Sequence, residues 1–240
     1  ASNNVGVGQS ALCSNTTGLR NTAVGNQSSD ANTTGQCNVS MGHDSFSTNT
    51  TGSDNVAIGP DALYSSTTSS NNTAVGKSAL ALNTTGANNT SVGRRAMEDN
   101  TTGASNTALG VNALESNTTA ANNVSIGLSS MATNTTGTTN VAVGTNALGS
   151  NTTADNNVAV GNASLYANTT GCQNTAVGAS ALDSNTTGCS HVAIGHLALG
   201  SNTTGTFNTA VGKLALGANT TAVCNAVVGY NAGSDVTTGK

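Results

Sequence analysis

Small apolar and polar residues follow one another along this chain in a single short pattern that returns every 17 residues from one end to the other. Numbering places by the first copy, places 4 to 7 read Asn-Thr-Ala-Val, Asn-Val-Ala-Ile or a close variant of these, and place 8 is Gly in every copy, from Gly8 to Gly229. Place 12 is nearly always Leu, Met or Phe, and places 16 and 17 are Thr from Thr16 and Thr17 to Thr237 and Thr238. Place 4 runs from Asn4 to Asn225 with His191 as its one substitution, which makes 14 copies with no insertion in the register. The alternating, β-branched run at places 4 to 7 predicts a short strand. The invariant glycine after it marks a backbone conformation or a close approach that a Cβ would forbid. Places 11 and 12 form a second small inward face, and Asn15-Thr16-Thr17-Gly18 reads as a turn into the next copy. Helix is disfavoured, because Asn, Thr and Gly lower its propensity and apolar places 5, 7 and 12 sustain no helical stripe. A fixed period with units too short to fold alone predicts a solenoid whose core is supplied by stacking. The expectation is an all-β, parallel β-solenoid of 14 coils of 17 residues, one domain over residues 1–240.

Charge tests that assignment independently. All sixteen Asp, Glu, Lys and Arg residues, including terminal Lys240, fall at places 2, 3, 9, 10, 13 or 14, so those places face solvent. Places 4 to 8, 11, 12 and 15 to 17 never carry one, so they face inward, pack in ladders or lie at an interface. The expectation for places 7 and 12 is inward, as for Ile126 and Leu148. Only 7% of residues are charged and 2% aromatic, yet the strict aliphatic period sets the chain apart from a disordered one. A net charge of −4, with Arg94-Arg95 the single basic pair, argues against nucleic acid as a partner. No run of about 18 apolar residues predicts a membrane-inserted helix, and no charged-then-apolar leader opens the chain at Ala1. One Val or Ile, one Leu and some Ala per coil make a thin core at roughly 0.8 kcal/mol per methylene, so association into a homo-oligomer is expected. The lack of strongly polar end coils points to end-to-end filaments, while Gly233 at place 12 and Val236 in place of Asn read as a decaying last coil.

Asn-Val-Ala-Ile-Gly and Asn-Thr-Ala-Val-Gly, followed by x-x-Ala-Leu-x-x-Asn-Thr-Thr-Gly, resemble the repeats of trimeric autotransporter adhesin heads and of phage or large-virus tail-fibre proteins. The resemblance covers essentially the whole chain. It implies a left-handed parallel β-roll, three chains side by side, displayed on a cell surface or virion for attachment to a cell-surface or glycan receptor. Two departures stand against it: a 17-residue period longer than the adhesin-head repeat, and no stalk coiled coil, membrane anchor or fibre-tip chaperone.

Motifs of catalysis and cofactor binding are accounted for by the repeat. Gly6-Val7-Gly8-Gln9-Ser10-Ala11 fits the dinucleotide fingerprint with Asp30 downstream, but no βαβ unit surrounds it. Gly76-Lys77-Ser78 resembles the end of a phosphate-binding loop, with Asn71 standing where the first Gly belongs. His43, His191 and His196 are scattered and the acidic residues form no calcium-type ladder, so no metal, cofactor or catalytic residue is expected and the chain reads as a non-enzyme.

Three surface features remain. Asn-Thr-Thr is an N-glycosylation acceptor at Asn15, Asn83, Asn117, Asn151 and Asn185 among others. The preferred reading of that column is an internal Asn ladder, because neighbouring rungs lie only about 4.8 Å apart. The Thr column through Thr16, Thr33, Thr84, Thr101, Thr118, Thr135, Thr152 and Thr169 is a candidate surface array. Adjacent Thr residues point to opposite faces, so one column supports the turn and the other is free to face water, with laddering between hydroxyls along the stack as the preferred reading. Cys172 and Cys189, one period apart at place 2, stack on neighbouring rungs at about 4.8 Å, within disulfide range. That predicts a Cys172–Cys189 disulfide in an oxidising, extracellular setting. The function expected is a non-enzymatic extracellular fibre or adhesin-like solenoid for display or attachment. Its alternatives are an ice- or glycan-binding surface built on the Thr and Asn columns, and a self-assembling filament subunit.

Overall fold

The computed structural model describes Ser2–Thr238, so Lys240 lies outside the described residues. It is an all-β parallel β-solenoid with one coil per 17 residues, and no helix occurs among the described residues. The chain falls into two compact units, residues 1–122 and 123–240. The first carries seven three-residue strands, β1 (Val5–Val7) through β7 (Thr107–Leu109). Each pairs in parallel with the next, and every residue meets its equivalent one period away, as Ala74 meets Ala57 and Ser91. The second unit repeats the scheme from β8 (Val124–Ile126) to β14 (Ala226–Val228), with Ala159 between Ala142 and Ala176. The described charged side chains are all exposed or half-buried, as their places predict.

Each strand from β2 (Thr22–Val24) to β13 (Thr209–Val211) buries its middle residue. Ala57, Ala74, Ala159 and Ala176 at place 6 are fully buried, as are Leu63, Leu80, Leu165 and Leu182 at place 12. Place 7 does not face inward as expected: Ile58, Leu109 and Ile194 keep 37 to 47% of their surface exposed, and Ile126 is half-buried, while Leu148 is buried. The reason is the period-2 alternation of a strand. Once Ala at place 6 points in, places 5 and 7 must both point out. A ladder that excludes charge therefore need not be a core.

The coil is closed by backbone conformations that few residues favour. Gly76 and Gly161 at place 8 have φ of 133° and 137°. A Cβ there would stand 2.6 Å and 2.5 Å from the carbonyl oxygen of the next coil's glycine, so this glycine answers both conditions set by the sequence. The buried leucines of place 12 are themselves left-handed, Leu165 at φ 53° and Leu182 at 55°. That conformation costs roughly 1–2 kcal/mol for a residue with a Cβ, and full burial of a Leu side chain offsets it by about 1.5–3 kcal/mol. The Leu165 N–H also donates to the Ala181 carbonyl at 2.9 Å, which holds the turn in place.

Where the interior departs from the repeat, a neighbour departs with it. Ser29 replaces Leu at place 12, and Ser28, Ser29, Ser40 and Ser45 form a buried network with Oγ separations of 2.6 to 3.1 Å, beside which Phe46 fills the next place-12 position. Ser66 replaces the place-15 Asn, and Ser69 supplies a hydroxyl that pairs with it and accepts from Asn72 Nδ2 at 3.0 Å and Asn83 Nδ2 at 3.2 Å. Each change keeps buried polar atoms paired, and a lost pairing would cost about 1–3 kcal/mol.

Candidate functional site

Two Asn columns hold the coils together. At place 4, Asn72 Oδ1 accepts from the Asn89 backbone N–H at 2.9 Å, and Asn89 Nδ2 donates to the Gly103 carbonyl at 2.8 Å. At place 15, Asn100 Nδ2 donates to Asn83 Oδ1 at 2.8 Å while Asn83 Nδ2 donates to the Gly86 carbonyl at 2.9 Å. This places the sequence-predicted acceptors Asn83, Asn117, Asn151 and Asn185 at full burial. Asn117, Asn151 and Asn185 each donate to the Asn one period back, at 2.7 to 2.9 Å. A sugar on Nδ2 has no room there in the folded coil. Asn15, in the first coil, is half-buried and donates to the Gly18 carbonyl at 3.1 Å.

The two Thr columns differ. At place 16 the hydroxyls of Thr16, Thr33, Thr84, Thr101, Thr135, Thr152 and Thr169 donate to the carbonyl of the Thr one coil on, at 2.9 to 3.2 Å. Thr118 is half-buried in the same column. Place 16 is thus part of the ladder, and the column exposed throughout is place 17, including Thr85 and Thr102 in the first unit and Thr153, Thr170 and Thr187 in the second. Both columns were visible in the sequence. Which one meets water was decided by the turn.

His191 shows how strict the place-4 ladder is. Its backbone N–H donates to Asn174 Oδ1 at 3.0 Å, its Nδ1 accepts from the Asn208 N–H at 3.2 Å, and its Nε2 lies 2.6 Å from the Gly205 carbonyl. The imidazole reproduces both bonds of the Asn it replaces only when neutral, with the proton on Nε2. Burial pushes its pKa below 6.5.

Cys172 and Cys189 are brought together as free thiols, with sulfurs 3.1 Å apart and the Cys172 N–H donating to Cys189 Sγ at 3.0 Å. The hydrogen bond with Cys189, then burial, holds the Cys172 thiol above its ordinary value. One cluster escaped sequence reasoning. His43, Asp44 and Asp61 bring ligand atoms within 4.8 Å of one another, with His43 Nδ1 3.1 Å from Asp44 Oδ2. The signal for it was the place-10 stacking of Asp44 on Asp61, one period apart beside a histidine. His43 is exposed, and Asp44 and Asp61 are half-buried.

The outer strand face carries a further feature common to both units. Met41, Ile58 and Leu109 in the first unit, and Val177, Ile194 and Val228 in the second, are exposed apolar side chains of place 7. All but Val228, whose place-5 neighbour is the exposed Ala226, stand beside half-buried Val or Thr at place 5, and no charged side chain interrupts either place in any of the 14 strands. Comparison of the chain with protein-family models, with curated proteins and with solved structures finds no match.

Proposed function

We propose that the protein is a non-enzymatic structural solenoid of the extracellular, fibre or adhesin-like kind, which associates side by side with copies of itself and serves for display or attachment. The observation that carries this reading is the outward, uncharged aliphatic ladder of place 7. A contiguous apolar strip is costly to leave in water and is the usual mark of an association surface. The spread of titratable side chains over outward places in many coils supports a scaffold rather than a catalytic role. Sedimentation and native mass measurement test the reading. A discrete oligomer or filament is expected, and Ile58→Lys with Ile194→Lys should convert it to monomer with the β signature retained. A wild-type chain that stays monomeric at micromolar concentration sinks it.

A second reading is favoured by one observation, the exposed Thr column at place 17. An array of hydroxyls at rung spacing suits binding to a regular surface such as ice. Thermal hysteresis that disappears in Thr153→Tyr with Thr170→Tyr would establish it in place of the first.

A further inference from the structure

Place 10 is polar, or Ala, in every coil but two, where Leu197 and Leu214 stand on neighbouring rungs. Those same two coils carry Gly200 and Gly217 at place 13. The coincidence produces a groove of about 320 Å³ lined by Asp183, Ser184, Leu197, Gly200, Ser201, Leu214 and Gly217. It spans three neighbouring coils, with Asp183 and Ser184 on the first, Leu197, Gly200 and Ser201 on the second, and Leu214 and Gly217 on the third.

Another coil shows what such a gap takes. At Gly149, also place 13, a Cβ would stand 3.0 Å from the Tyr166 ring of the next coil, so an apolar side chain of the same chain occupies that space. At Gly200 the nearest groups to a built Cβ are Leu197, at 3.3 Å, and Asp183 Oδ1, at 3.6 Å. The rung after it supplies only Gly217. Asp183 therefore borders the space that the two glycines leave open. Asp183 is half-buried, and burial raises its pKa against the hydrogen bonds from Ser184, Ser180 and the local backbone. Among the described residues no cation forms a salt bridge with it.

We propose that this groove binds a primary alkylammonium group, its nitrogen held by the Asp183 carboxylate and the Ser184 and Ser201 hydroxyls and its methylenes lying against Leu197 and Leu214. An ammonium has three donors and no acceptor, which suits one carboxylate and two hydroxyl oxygens. A straight aliphatic stem with a charged end matches a channel that is apolar along its length and anionic at one end. The chemistry is shared by a lysine side chain of a partner protein and by a free amine, and the site stands independently of the association proposed above.

Amide-resolved NMR titration of the full chain tests it with three probes: Nα-acetyl-lysine N-methylamide, cadaverine, and Nα-acetyl-norleucine N-methylamide as the uncharged control. Shifts are expected in the coils of Asp183, Leu197 and Leu214, with a dissociation constant on the order of 1 mM. Binding by the lysine derivative points to a partner's side chain, and binding by cadaverine alone to a free amine. Asp183→Asn should weaken either by roughly tenfold, the scale of a lost charge-assisted contact, and Gly200→Val should block the channel. Unchanged amide spectra elsewhere report that the variants remain folded. No shift from either amine up to about 20 mM, equal shifts from the norleucine control, or undiminished binding by Asp183→Asn overturns the proposal.

Discussion

The inner and outer faces of the same three-residue strands are both apolar, yet they vary by different rules. Inside, place 6 is Ala or Ser in almost every coil and place 12 is Leu with few exceptions, because the coil is narrow. A change at one buried site is matched next door, as Ser29 is by Phe46 and Ser66 by Ser69. Outside, place 7 passes among Val, Ile, Leu and Met with no matching change, Met41 and Leu109 being instances. Coupled variation is what close packing imposes, since a buried volume or polar group must be accommodated locally. Uncoupled variation that still excludes charge means that the coil does not set the size of these side chains. Water would tolerate Lys or Glu there, so their aliphatic character calls for a cause beyond the coil, which the lateral association proposed above would supply.

The strongest way to break the inner rule is at place 8. Gly161→Ala puts a Cβ against the next coil's backbone at φ 137°, where there is no flexible side chain to yield. A loss above about 3 kcal/mol is expected, seen in chemical denaturation as unfolding of the second unit at low denaturant. Gly86→Ala, at place 1, should cost less even though a Cβ there would press on the Gly103 carbonyl oxygen, because its φ is not left-handed and Ala120, Ala154 and Ala222 already occupy that place in other coils.

Next in size is the contrast between the faces themselves. Leu165→Ala should destabilise the folded chain by about 2–5 kcal/mol, whereas Val160→Ala on the outer face should change monomer stability by less than about 1 kcal/mol and weaken association instead. Equal losses from the two would remove the distinction between core and interface.

The Cys172–Cys189 pair probes the outward side by a covalent route. Treatment with glutathione disulfide should join the two thiols, each chain losing two hydrogens and releasing two reduced glutathiones, and closure of a loop of this length is worth about 3 kcal/mol. Peptide mapping that leaves both as thiols, or as separate mixed disulfides, contradicts the expected disulfide.

The smallest effect concerns the place-4 ladder at His191. Its folded pKa lies below 6.5, so the unfolded chain binds more protons in the interval between the two values. The stability that the neutral imidazole contributes is therefore full above pH 6.5 and lost as the pH falls through the folded value. His191→Asn, which restores the ladder residue, should flatten that part of the stability profile. A slope unchanged by the substitution would mean that the imidazole is not held neutral in the ladder.

The sequence alone determined the period, the register and the parallel stacking, because a 17-residue repeat without insertions leaves one way for equivalent residues to meet. It also picked out the glycine of place 8, the Asn columns and the pairing of Cys172 with Cys189, all consequences of stacking like on like. Which face of the strand points inward was decided by the tertiary structure. Charge exclusion treats a core and an interface alike, and only the closure of the coil around Ala at place 6 and Leu at place 12 turned place 7 outward. The same closure tied the Thr hydroxyls of place 16 into the ladder and left those of place 17 to water, since the direction of a side chain at a turn depends on left-handed backbone angles that no residue pattern here announces. The groove at Asp183 was likewise a matter of folding: two leucines and two glycines are unremarkable in the chain, and become a channel only when their places stack side by side.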